Sequence, residues 1–211
     1  MGRVKTIHHS DWRGEFLFVG NHLTLDFINT CPVQNAEPME LLADFNALLR
    51  WFEASKVLSS RDVANLGRHW GKSVRGKEVV EDMRKFRERL RKQVVAWEQG
   101  GTVHCTVLNE LNRLMAEHPM LTRLKVSGSS CSTELWFAPR QPESLFAPLA
   151  HSAARLFANV DRKRVRKCGH CVLHFYDASK KGNRRWCSMQ LCGNRLKVAA
   201  YAARQCIPTQ K

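Results

Sequence analysis

The sequence predicts an α+β chain. A mostly helical body with short β-hairpins occupies residues 1–160, and a small C-terminal module that ends in a helix occupies 161–211. Three observations predict this. Several stretches repeat their apolar residues at steps of three and four, the spacing of amphipathic helices. Short runs elsewhere alternate apolar and polar residues around Gly and Asn turns. Four of the eight cysteines then fall between residues 168 and 192.

The chain has 211 residues, a formal net charge of +15 and 44% apolar residues, enough to build a core. No apolar run is long enough to span a bilayer. Met1 to Glu15 is polar and charged, without the apolar stretch of a secretory signal, so the expected compartment is the cytoplasm. In a reducing compartment, cysteines are read as metal ligands or buried thiols before disulfides.

The elements follow in order. Phe16–Asn21 and Leu23–Thr30 are predicted as two strands of a hairpin around Gly20-Asn21-His22, because Leu23, Leu25 and Phe27 alternate with Thr24 and Asp26. On that reading Asp26 faces solvent, and Asn29-Thr30 make local turn hydrogen bonds. Met39–Ala54 is predicted helical, and Ser59 or Ser60 caps a shorter helix ending near Gly71. The clearest helix, about Lys77 to Glu98, carries the stripe Val79, Met83, Phe86, Leu90, Val94 and Trp97. Thr106–Glu117 is a further helix. Arg123–Ser127 and Glu134–Ala138 are predicted strands around Gly128, with Leu124 and Val126 facing inward. Ala147–Val160 is the last helix of the body, with Pro148 tolerated in its first turn. Arg162 to Lys167, five basic residues in six, reads as an exposed connector.

The charge is concentrated beyond it. Residues 161–211 hold 13 Lys/Arg and two acids, a net of +11, against +4 for the preceding 160 residues. Such a module suits a polyanionic partner. Its cysteines form two close pairs, Cys168-x2-Cys171 and Cys187-x4-Cys192, separated by fifteen residues. Two such pairs brought together by a hairpin supply the four ligands of a tetrahedral Zn2+ site. All positions are then filled by protein, so the single zinc is structural and supplies the folding energy of a segment too short to bury its own core. His170 and His174 are possible substitute ligands. Cys168-Gly169-His170-Cys171 has the letters of a disulfide-exchange site, but a basic run precedes it and a strand-like run follows, against a thioredoxin setting.

The run Arg184-Arg185-Trp186-Cys187-Ser188-Met189, followed by Cys192-Gly193-Asn194-Arg195, resembles the CGNR zinc-finger family. Leu25-Asp26-Phe27-Ile28-Asn29-Thr30 is similar to the signature of the ABATE domain that commonly precedes this finger. Phe137-Ala138-Pro139-Arg140, the Pro148 helix and Phe175-Tyr176-Asp177-Ala178-Ser179 also fit, so the resemblance spans about Phe16 to Gln205. It implies a bacterial transcription regulator, with sensing in the first part and DNA binding in the finger. It also implies that Cys168, Cys171, Cys187 and Cys192 are the metal ligands. His174 stands where the family more often has an apolar or variable residue, which favours four cysteines.

A zinc-presented helix from Gly193 to Arg204 suits the major groove. The expected DNA contacts are Arg166, Lys167, Arg184, Arg185, Arg195, Lys197 and Arg204. Trp186 either stacks on a base or, the preferred reading, covers the metal site. Asn194 either pairs with adenine or orients a thiolate. A single small finger rarely reaches useful specificity, so double-stranded DNA bound by a homodimer at the nucleoid is expected, with a small-molecule effector possible in the body. The alternative is a small-molecule sensor or interaction adaptor whose finger only staples the fold. No Walker loop, G-x-S-x-G or H-E-x-x-H occurs, so no enzyme is expected.

Overall fold

The computed structural model describes residues 11–34 and 36–193 and is mixed α+β, with short antiparallel strand pairs among helices. Strands β1 (Trp12–Arg13) and β2 (Phe16–Leu17) form a small hairpin. The next segment departs from the predicted strand: Leu23–Ile28 is a helix, α1. Alternation signals a strand only where one face meets water, and here Leu25, Phe27 and Ile28 are all fully buried. The polar positions between them are buried too, and each is partnered. Thr24 Oγ1 lies 2.8 Å from Ser152 Oγ, and the Gly20 N–H donates to Asp26 Oδ1 at 2.7 Å. Asp26 therefore does not face solvent. Gly20 is required at this turn, since a Cβ there would lie 2.7 Å from Asp26 N.

A second small hairpin pairs β3 (Val33–Gln34) with β4 (Glu37–Pro38). Helix α2 (Phe45–Ala54) starts six residues later than predicted, because Asp44 Oδ1 accepts from Ala47 N at 2.7 Å and so caps the helix there. Leu42 before it stays buried outside the helix, with its carbonyl held by the Arg84 guanidinium at 2.6 Å. Helix α3 (Ser60–Trp70) has the predicted cap, with Ser59 and Asp62 in a reciprocal capping box and Gly71 at its end.

Helix α4 (Val74–Glu98) is the spine of the body, and its predicted stripe is buried from Val79 to Trp97. Arg87 is also buried on it, where it makes a bidentate pair with Glu40 at 2.7 and 2.6 Å. Helix α5 (Cys105–Glu117) packs on α6 (Phe146–Asn159), which follows a 3-10 turn, Pro142–Leu145. Leu149, Ala153 and Leu156 of α6 are fully buried.

Strands β5 (Leu121–Ser127) and β6 (Ser130–Trp136) pair in the predicted order but form an arm with both faces open. Leu124 and Val126, expected inward, are each 68% exposed, because among the described residues the arm's main contact is between its own two strands. The basic segment after α6 is not a simple connector either. It makes a 3-10 turn, Arg162–Arg164, and a strand, β7 (Val165–Lys167), antiparallel to β8 (His174–Tyr176). Val165 is buried in the main core. A five-residue π-turn, Met189–Gly193, closes the described chain. Among the described residues, no helix is long and apolar enough to cross a membrane.

Burial raises the Asp26 carboxyl to about 7, against the opposing Gly20 hydrogen bond and the Arg13 charge. The folded chain thus holds this proton more tightly than the unfolded chain. The associated stability is full below about pH 4 and is lost as pH rises towards 7, by roughly 4 kcal/mol at most. Asp26→Asn keeps an acceptor for Gly20 and removes the titration. Urea unfolding at pH 4 and pH 8 should show the variant gaining on the natural chain at the higher pH; a constant difference contradicts this account.

Candidate metal centre and its basic groove

The four clustered cysteines are delivered by two local devices. In the first, Cys168 follows β7 directly, and its N–H donates to Leu173 O at 2.8 Å, folding 168–173 into a knuckle. In the second, Ser188 Oγ accepts from Gln190 N at 3.0 Å and Leu191 N at 3.3 Å, and Ser188 O accepts from Cys192 N at 3.1 Å. This turn places Cys187 and Cys192 on the same side. Gly169 N–H donates to Arg185 O at 3.0 Å and ties the two halves together.

The four Sγ atoms lie within 4.8 Å of one another. Cys171 and Cys187 are separated by 3.6 Å, and Cys187 and Cys192 by 3.7 Å. A tetrahedron of sulfurs about 2.3 Å from a central Zn2+ has edges of about 3.8 Å, so the spacing fits one such ion and is far too long for a disulfide. The electrostatics agree. Without a cation, the hydrogen bond from Cys187 pulls the Cys171 thiol down to about 5. That same bond, with burial and the neighbouring sulfurs, pushes Cys187 up, while burial and the Cys171 charge push Cys192 up to about 12. One thiolate forms at the expense of the others, and only a central cation lets all four ionise.

Neither histidine joins the set. His170 is exposed, and His174 turns into the body, with Nε2 3.6 Å from Glu98 Oε2. Burial, then Arg91 and Lys167, lowers His174 to about 4, so its imidazole is neutral there. Trp186 packs on the sulfur cluster as a cover, and Gly169 makes room for it, since a Cβ there would lie 3.1 Å from the indole. Cys168-Gly169-His170-Cys171 lies between two strands and has no helix after it, which removes the thioredoxin reading.

Arg166, Lys167, Arg184 and Arg185 line one groove beside the sulfurs, together with Glu98 and Trp186. Lys167 and Arg185 are exposed there. Arg184 is not a free cation. Its Nε donates to Trp186 O at 2.8 Å, another of its nitrogens donates to Cys187 O, and its guanidinium lies 4.8 Å from the centre of the Phe175 ring. Arg166 donates to Gly182 O at 2.8 Å. Arg195, Lys197, Arg204 and the predicted final helix lie outside the described residues, as does Asn194.

Two residues carry roles that local sequence reasoning did not reveal. Asp177 is buried and accepts from Ser179 N at 2.9 Å and Arg184 N at 2.7 Å, which fixes the 177–184 loop. Burial opposes its charge, but these bonds hold its carboxyl below the usual range. Asn29 is not a turn residue. Its amide donates to His174 O at 2.8 Å and accepts from His174 N at 2.9 Å, as a strand neighbour would. At the other end of α1, Tyr176 N donates to Gly20 O at 2.8 Å, and Asn21 Nδ2 donates to Tyr176 O at 3.0 Å. The cysteine module is strapped along α1 at both ends.

Residues 21–160 match the family model described as "Putative stress-induced transcription regulator", ABATE, and residues 164–205 match the CGNR zinc finger. The chain belongs to the ABATE family. Among curated proteins, none matches it. The two matched spans follow the order that the sequence motifs imply, and the α1–β8 strap joins the ABATE body to the CGNR finger.

Asn29→Ala leaves both His174 backbone groups without their buried partner, a loss of about 1–3 kcal/mol. Amide hydrogen exchange should speed up at His174 more than at α4 sites such as Phe86. Equal protection in both proteins contradicts the strap.

Proposed function

We propose that this chain is a non-enzymatic, DNA-binding transcription regulator. One structural Zn2+, held by Cys168, Cys171, Cys187 and Cys192, shapes a basic finger that grips duplex phosphates. The ABATE body brings two copies together or senses an effector. The observation that carries this reading is the concentration of exposed cations on a segment anchored by four sulfurs: Lys167 and Arg185 in the groove, with Lys163, Lys180 and Lys181 on neighbouring turns. The family description points the same way. Four protein sulfurs leave no coordination position for a reacting water, so the metal's contribution is shape. Paired half-sites and a homodimer follow from the small reading surface of one finger.

The inward pairing of Arg184 divides the arginines by role. Arg185 and Lys167 are assigned to phosphate, while Arg184 holds the Trp186–Cys187 turn. An adaptor reading has one observation in its favour, the open β5–β6 arm with Leu124 and Val126 exposed. DNA titration separates the two readings.

With six or more phosphate contacts, affinity for mixed-sequence duplex DNA should fall about a thousandfold or more between 50 and 200 mM salt. Lys167→Ala and Arg185→Ala should each flatten the salt slope by about one, with metal retained. Arg184→Ala should instead weaken metal retention. No binding at low salt, or a salt-independent affinity, contradicts the DNA reading and leaves the adaptor.

A further inference from the structure

A second cleft, in the body, shares no lining residue with the sulfur site. It is an open cleft of about 760 Å³ between the β5–β6 arm, the start of α3 and one face of α6. Its size is that of a small-molecule site. Helix α6 is two-faced: Leu149, Ala153 and Leu156 fill the core, while Pro148, Ser152, Arg155 and Asn159 recur at helical spacing along the cleft, with His151 beside them. His22, the residue before α1, also lines the cleft and caps no backbone group with its side chain. Its Nδ1 is buried with no hydrogen-bond partner among the described residues. The described residues around it leave this nitrogen's hydrogen-bonding capacity unused.

The charges of the cleft are unequally committed. Glu134 is neutralised by Arg123 at 2.5 Å and Lys125 at 3.4 Å, and Asp62 is engaged in the capping box with Ser59. Arg155 has no ion pair among the described residues. It is close enough to act on both imidazoles: burial first, and this guanidinium second, lowers His22 and His151. Leu23, Trp136 and Pro148 supply apolar wall. An arginine without a counter-charge, two neutral imidazoles and an apolar wall form the complement of an amphipathic anion rather than of a bare phosphate or a cation.

We infer that this cleft binds an aromatic or similarly apolar monocarboxylate, with its carboxylate on Arg155 and the His22 and His151 imidazoles and its apolar part against Leu23, Trp136 and Pro148. This assigns a site to the effector role proposed above. It does not rest on the DNA reading, and no DNA enters its test. The cleft also adjoins the strap, since His22 follows Asn21, whose amide holds Tyr176 of the finger.

The test titrates the full, metal-loaded chain with 2-naphthoate and with uncharged 2-naphthamide, following the histidine side-chain resonances by NMR and binding by calorimetry. The expected result is a saturable shift confined to His22 and His151 with naphthoate, and binding of the amide weaker by about tenfold or more. Arg155→Ala should lose a similar factor with an unchanged melting temperature, since the residue is exposed, and Arg155→Lys should recover part of it. No saturable naphthoate binding, equal affinity for acid and amide, or full affinity in Arg155→Ala would each overturn the inference.

Discussion

Mutual repulsion among four sulfurs held within 4.8 Å is the constraint on which the C-terminal part of this chain depends. Such neighbours cannot all be thiolates without a cation between them, and as thiols they offer only weak hydrogen bonds to one another. The surrounding backbone has already committed to the arrangement. The Leu173 carbonyl shapes the first cysteine turn, the Ser188 hydroxyl and the Arg184 guanidinium shape the second, and the Arg185 carbonyl, accepting from Gly169 N, holds the two together. A central metal turns that enforced crowding into the stabilising term, and the exposed cations around it then stand on a rigid base.

The finger does not hang from the body on a tether. Asn29 completes the edge of β8 as a strand would, Gly20 and Asn21 hold Tyr176, and Glu98 accepts from Lys167 N at 2.7 Å. Helix α1 contacts β8 on one side and α4 and α6 on the other. Its short Leu25–Thr30 signature is thus less a surface motif than a joint. Thr24, Asp26, Asn29 and Thr30 are polar because each bonds a specific partner.

What could be read from the sequence follows from how local each determinant is. Helix α4 was legible because its six-residue stripe repeats over about five turns. Helix α3 was legible because Ser59 and Gly71 mark its ends within the segment itself. The cysteine ligands were legible because metal geometry constrains spacing directly. Helix α1 was not, because a segment buried on every side has lost the contrast that periodicity measures. The openness of the β5–β6 arm was invisible for a related reason: Leu124 and Val126 alternate as inward residues do, and nothing in their own sequence tells that both stay exposed. Arg184 and Arg185 are neighbours of equal charge, and only the turn fixed by Asp177 sends one inward and the other out. The Asn29–His174 pairing crosses 145 positions and has no local signature.

Cobalt substitution addresses the four-sulfur centre most directly. Purified chain, stripped of metal under reducing conditions and titrated with Co2+, should take up about one ion and develop both the intense thiolate-to-cobalt charge-transfer band and the visible bands of a tetrahedral site, with Zn2+ displacing them. An octahedral cobalt spectrum, or uptake well below one ion per chain, would contradict the account.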